Sequence, residues 1–140
     1  MIKWKNDYSC FDRTIDEQHL KIFEMINQML AIVDLDDGFD HYDEILGLLE
    51  EVKNYTVYHF SHEEKLFEQE RYDSFSTKLH VLEHKSFIKK VSEIAIDEID
   101  EDQTMSVRKV LGFLCTWLEQ HILDTDRKFG QFLKDKSLAV

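Results

Sequence analysis

The chain has 140 residues, 43% of them hydrophobic and 33% charged, and a formal charge of -12. That length suits one domain with its own core, the acidic surface repels phosphate backbones and argues against nucleic-acid binding, and there is no run of about 18 apolar residues to span a membrane. The opening residues, MIKWKNDYSC, have no apolar signal core, and Cys10 and Cys115 form no CxxC pair, so a reduced, cytoplasmic protein is expected.

The chain has no proline, few glycines and no strand-like alternation; apolar residues instead recur at steps of three and four, the helical period. An N-terminal arm, residues 1 to about 13, carries Trp4, Tyr8 and Phe11 to pack it onto the domain. A first helix is predicted over about 14–34, opened by Thr14 and Glu17 at capping-box spacing, with a stripe of Ile15, His19, Ile22, Ile26, Met29 and Val33. The acidic DLDDGFD ends it. A second helix over about 40–70 carries Ile45, Leu49, Val52, Thr56, His59, Glu63 and Leu66 on one face. After RYDSFS a third helix, about 76–97, presents His80, His84, Phe87, Val91 and Ile94. DEIDEDQ is an acidic turn into a fourth helix, about 104–134, with Val107, Leu111, Leu114, Leu118, His121 and Ile122 inward and Cys115 in the same apolar run as core. Four amphipathic helices with short connections imply an all-α, antiparallel up-down-up-down four-helix bundle, a single domain over 1–140.

The polar residues on these stripes carry the chemistry. His19, His59, His80, His84 and His121 all fall on core faces. Burying five imidazoles without partners costs on the order of 1–3 kcal/mol each, enough to rival the net stability of a small domain. A shared partner has to compensate. His59 and Glu63 are spaced i,i+4, as are His80 and His84, so each pair shares a helix face. His121 and Asp126 are five apart, about 140° on an ideal α-helix, a separation that suits groups reaching to either side of something central. In an antiparallel bundle the starts of the first and third helices lie level with the ends of the second and fourth. His19, His59, Glu63, His80, His84, His121 and Asp126 therefore converge at one end of the interior. Five imidazoles and two carboxylates exceed the needs of one tetrahedral zinc, and calcium and magnesium want oxygen ligands. Nitrogen-rich ligation with carboxylates able to bridge fits two transition metals, iron foremost. HExxH, E-x-x-H, CxxCH, glycine-rich phosphate loops and GxSxG are all absent. His41, His62, Glu64, Glu68 and Asp16 read as solvent-facing.

IDEQH (15–19), HFSHEE (59–64), HVLEH (80–84) and WLEQHILDTD (117–126) together resemble the hemerythrin family, specifically its single-domain bacterial form, from Trp4 to about Leu133. Phe11 and Asp12 stand where that family usually carries a Gly-Ile pair. The resemblance implies a non-haem di-iron centre that binds dioxygen. His80, His84 and His121 would hold one iron. His19 and His59 would hold the other, which keeps an open coordination site. Glu63 and Asp126 would bridge the two together with an oxo or hydroxo group. Ile22, Phe60, Trp117, Leu118 and Ile122 would wall the open site as a dry oxygen pocket. The implied function is oxygen storage, delivery or scavenging. Dioxygen or peroxide reduction at the same site and an oxygen or redox sensor module are the alternatives.

Overall fold

The computed structural model describes residues 2–35, 38–39, 41–97 and 103–138, the backbone alone for 94–97, 103–106 and 138. Asp36, Asp37, Asp40, the segment 98–102 and the Ile94 side chain, assigned above to two connections, a helix start and a core stripe, lie outside what is described.

The described residues are helical, without strands. A single turn of 3-10 helix (Asn6–Tyr8) in the arm precedes α1 (Arg13–Val33), α2 (Tyr42–Gln69), α3 (Ser74–Asp97) and α4 (Gln103–Gln120). α4 continues without a break through a π-helical segment (His121–Asp126) into α5 (Arg127–Leu138). These last three elements form the fourth rod of the bundle. α1 packs against α2 and α4, and α3 packs against the same two, the cyclic neighbour pattern of a four-helix bundle. No described helix is long and apolar enough to cross a membrane.

The core follows the sequence stripes. Ile15, Ile22, Ile26 and Met29 of α1 meet Ile45, Leu49 and Val52 of α2, Phe87 and Val91 of α3, and Val107, Leu111, Leu114 and Leu118 of α4 in one buried cluster. Val33 and Leu66 lie only at its margin, and Phe67, one residue past Leu66, is the buried neighbour. Cys115 is half-buried, whereas Cys10 of the arm is fully enclosed. The α4 stripe runs through 111, 114 and 118, so position 115 sits on its shoulder.

Local chemistry sets the helix ends, with some departures from the sequence reading. α1 is capped by Asp12, whose carboxylate accepts the Ile15 N–H at 2.9 Å, rather than by Thr14. Glu17 pairs instead with Arg13 at 2.9 Å. A carboxylate at the helix start gains from the dipole as well as the hydrogen bond, and so outcompetes a hydroxyl two residues later. α3 starts two residues early because Asp73 accepts the Ser76 N–H at 2.9 Å.

α2 closes with the Tyr72 N–H donating to the Phe67 carbonyl at 2.9 Å and with Arg71 at φ 54°. This is the left-handed helix stop that glycine fills best. Arg71→Gly is expected to stabilise the fold by about 0.5–1 kcal/mol, the relieved strain less the added freedom of the unfolded chain, read as a higher urea midpoint at unchanged slope.

The arm is strapped along α1 and α5. Trp4 and Tyr8 pack on Phe23 with ring centroids 6.0 and 5.3 Å away. The Tyr8 hydroxyl donates to Glu119 at 2.8 Å, and Asp16 accepts from both Ser9 Oγ (2.9 Å) and the Cys10 N–H (2.8 Å). Phe11 does not join the core. Its φ of 58° turns the chain sharply, and its ring lies outside, under the cations of Arg127 and Lys134.

Candidate metal centre

All seven polar residues singled out in the sequence meet at one end of the bundle, and each is at most 3% exposed. α1 supplies His19, α2 supplies His59 and Glu63, α3 supplies His80 and His84, and the π-helical segment supplies His121 and Asp126. On α2 and α3 the i,i+4 spacing stacks each pair on one face.

The fourth rod solves the same problem differently, and here the sequence reading needs correction. On an ideal α-helix His121 and Asp126 diverge. In the structure the Arg127 N–H reaches the Ile122 carbonyl, five residues back, and this wider turn brings residues five apart nearly into line. His121 Nε2 stands 3.0 Å from Asp126 Oδ1 as a result. The two groups share one face instead of splaying to either side of the centre.

The donor atoms fall into two sets whose members lie within 4.8 Å of one another: Glu63, His80, His84, His121 and Asp126 in one, His19, His59, Glu63 and Asp126 in the other. Both carboxylates belong to both sets. Close approaches are many: His59 Nε2 to Glu63 Oε1 at 2.5 Å, His19 Nε2 to Asp126 Oδ2 at 3.0 Å, and His80 Nε2 to Glu63 Oε2 at 3.3 Å. Among these inward-facing atoms only His80 Nε2, donating to Asp126 Oδ1 at 2.7 Å, is aligned as a hydrogen bond. The inward nitrogens of His19, His59 and His121, both nitrogens of His84 and both oxygens of Glu63 have no hydrogen-bond partner among the described residues. So many buried, misaligned lone pairs would be costly if they had only each other. One such atom from each residue lies within 4.8 Å of the others in its set, the arrangement that a cation satisfies, and the cluster could hold metal.

The electrostatics follow from this mutual packing. Burial and mutual repulsion push the Glu63 carboxyl up, but His59 and His80 outweigh them and leave it below its ordinary range. Asp126, also opposed by burial, is held well down by His121, His19 and His80. Burial pulls His80, His84 and His121 down. In His121 Asp126 overcomes it, raising the imidazole to about 10, and in His80 Asp126 and Glu63 raise it to about 9. His84, more thinly compensated, falls to about 3 and stays a neutral donor. Both carboxylates are thus kept ionised, the state a metal requires of them, and the protons held on His80 and His121 are ones that a metal would displace.

Aromatic rings hold the imidazoles in place. Phe60 lies flat on His84 (3.8 Å between centroids, 7° between planes) and Trp117 flat on His121 (4.4 Å, 15°). Phe60 reaches His59 only at 5.8 Å. These two rings therefore lean mainly on the three-histidine set, not on the two-histidine set where the sequence reading placed them. Ile22, Leu118 and Ile122 are buried within a turn of His19 or His121.

Gln18 was not singled out in the sequence. It is 7% exposed and its Oε1 accepts from His59 Nδ1 at 2.6 Å, fixing which nitrogen of that ring faces inward. Its signal was its place between Ile15 and Ile22 on the buried stripe. Four residues read as solvent-facing are half-buried instead. His62 and Glu64 flank the α2 stripe, and His41 pairs with Glu44 at 3.2 Å. Asp16 is half-buried too, taken up by the arm. Glu68 is exposed, as expected.

A four-helix bundle with a buried histidine–carboxylate cluster drawn from every rod is the framework of a metal-binding protein. The hemerythrin family model, described as Hemerythrin HHE cation binding domain, matches residues 10–133, and the chain belongs to that family. It is 38% identical to the bacteriohemerythrin of Clostridium acetobutylicum over 129 residues, covering 92% of this chain and 98% of that one. It is 34% identical to the bacteriohemerythrin of Pseudomonas aeruginosa over 143 aligned positions, covering 96% and 88% respectively. The bacteriohemerythrin of Stenotrophomonas maltophilia is 29% identical over 136 positions.

Proposed function

We propose that the chain acts as one domain that binds dioxygen reversibly at a non-haem di-iron centre, for storage, delivery or scavenging of oxygen. The observation that carries this reading is the pair of donor sets sharing Glu63 and Asp126. His80, His84 and His121 would serve one iron, His19 and His59 the other, and the two carboxylates both. The second iron then has one protein ligand fewer, which leaves it room for a small exogenous ligand. When bound, the irons supply the coordination position and the electrons that dioxygen needs.

The chain's own residues do the rest. Glu63 and Asp126, fully buried, offset the charge of two cations inside a medium that would not tolerate it unbalanced. Gln18 keeps His59 in one tautomer. Ile22, Leu118 and Ile122, with Phe60 and Trp117, form the apolar surroundings that keep water and stray protons from the site. The free thiols of Cys10 and Cys115 suit a reducing compartment such as the cytoplasm.

The test begins with metal analysis, where about two irons per chain are expected; one zinc, or no iron, overturns the reading. The iron-loaded protein is then reduced without oxygen, exposed to oxygen and degassed, and its visible spectrum is followed. A coloured form that appears with oxygen and bleaches on its removal is the expected result. Immediate conversion to a stable ferric form, with turnover by added reductant or peroxide, would replace carriage with a reductase.

A further inference from the structure

We propose that Glu83 is a positioning residue for His121 and, through it, sets the electron-donating strength of the three-histidine side of the centre. The proposal rests on the reading that His121 ligates iron.

His121 presents Nε2 to Asp126 at 3.0 Å, so Nδ1 is its outward nitrogen. That atom is buried and has no hydrogen-bond partner among the described residues. The nearest anionic group is the Glu83 carboxylate, with Oε2 at 3.7 Å. Glu83 comes from α3, one residue before His84, and is half-buried. Thr125 of the π-helical segment lines the same surface pocket as Glu83. The wide turn that aligns His121 with Asp126 therefore also places a hydroxyl on the same wall as Glu83.

The opposite side of the centre is built otherwise. His59 Nδ1 donates to Gln18, a neutral amide, at 2.6 Å. Two equivalent imidazoles thus differ in the group behind them, an anion in one case and a neutral oxygen in the other. A carboxylate behind a ligating imidazole makes it the stronger donor and favours the more highly charged state of the metal it holds. A neutral partner orients the ring without that bias. Glu83 accordingly lowers the reduction potential on the three-histidine side and tightens metal retention there, while the two-histidine side is left easier to keep reduced.

The experiment compares iron-loaded wild type with Glu83→Gln, Glu83→Ala and Thr125→Val. The readouts are the reduction potential by spectroelectrochemistry, the rate of iron release to a chelator, and urea unfolding before iron loading. Glu83→Gln keeps a polar group of the same size and loses the charge; a higher potential and roughly tenfold faster release are expected. For Glu83→Ala release should quicken by up to about 100-fold, the usual range for losing such a partner. Thr125→Val should shift both readouts the same way by less. Unfolding before loading should be nearly unchanged throughout, since Glu83 is half-exposed. A Glu83→Gln potential and release rate equal to wild type would overturn the proposal. So would changes in all three variants that merely track a loss of fold stability. If the wild type takes up no iron, the di-iron reading fails and this proposal with it; normal loading with unaffected variants removes the role of Glu83 alone.

Discussion

Glu63→Ala should reduce iron loading from about two ions per chain to one or none, with affinity for the second ion down by more than about 100-fold. Loss of an outer partner already costs about 10–100-fold, and Glu63 is an inner donor common to both sets. Its carboxylate is fully buried, with oxygens 2.5 Å from His59 and 3.3 Å from His80. On the di-iron reading, removing it would take one donor from each metal and half the anionic charge that would make two adjacent cations tolerable. Because metal binding contributes directly to folding stability, thermal unfolding of the iron-treated variant should drop toward the level of the unloaded protein. Glu63→Gln, which preserves volume but not charge, should show the same loss of stoichiometry with the bundle intact. Two irons per chain and unaltered oxygen binding in Glu63→Ala would falsify the shared-carboxylate assignment.

The second large effect lies in the fold. Gly130→Ala is expected to destabilise the protein by about 3 kcal/mol, the upper part of the usual range for overpacking. A Cβ at Gly130 would stand 1.9 Å from the Cys10 carbonyl oxygen and 2.5 Å from its carbon. Those are backbone atoms and cannot swing aside, so the arm must lift from α5 or α5 must tilt. Lifting the arm disturbs Tyr8 and Trp4 on Phe23 and loosens the Ser9 and Cys10 bonds to Asp16. Gly47→Ala and Gly112→Ala provide the contrast: a Cβ at either meets nothing within 4 Å, so each should be neutral or stabilising by up to about 1 kcal/mol. Urea unfolding of the three variants side by side measures the difference, and a Gly130→Ala loss no larger than theirs would show that the arm is not tightly seated.

Helical phase alone went far toward this arrangement. It put His59 on the buried stripe and His62 beside it, and it levelled the ends of four rods so that histidines distant in sequence meet. This works because core faces repeat with the helix and every donor but one pair obeys that repeat. The exception, His121 with Asp126, was visible only as an awkward interval of five, since apolar periodicity does not register one wide turn. Gln18 was overlooked because an amide on a stripe edge looks like ordinary surface until its partner 41 residues away is known. Side-chain packing decides which set a ring leans on, so Phe60 and Trp117 could be placed near the centre from spacing, but their lean on His84 and His121 rather than on the two-histidine side could not. The caps and the left-handed residues Phe11 and Arg71 depend on local competition for backbone groups, which spacing does not reveal.

The wide turn at His121–Asp126 also acts as a phase shifter. Upstream of it, Leu111, Leu114 and Leu118 face the bundle core; downstream, Phe129 packs against Phe67 and Tyr72 while Gly130 receives the arm. One residue more than a regular turn needs separates the two surfaces, so each keeps its own angular register along one rod. Deleting a residue within the turn would let the rod run as plain α-helix and could still leave a histidine and an aspartate four apart on one face. Straightening the turn at its present length would instead rotate everything beyond by about 100°, carrying Phe129 out of its aromatic nest and Gly130 away from Cys10. The width of this turn therefore couples the geometry of the centre to the seating of the arm, two regions far apart in sequence.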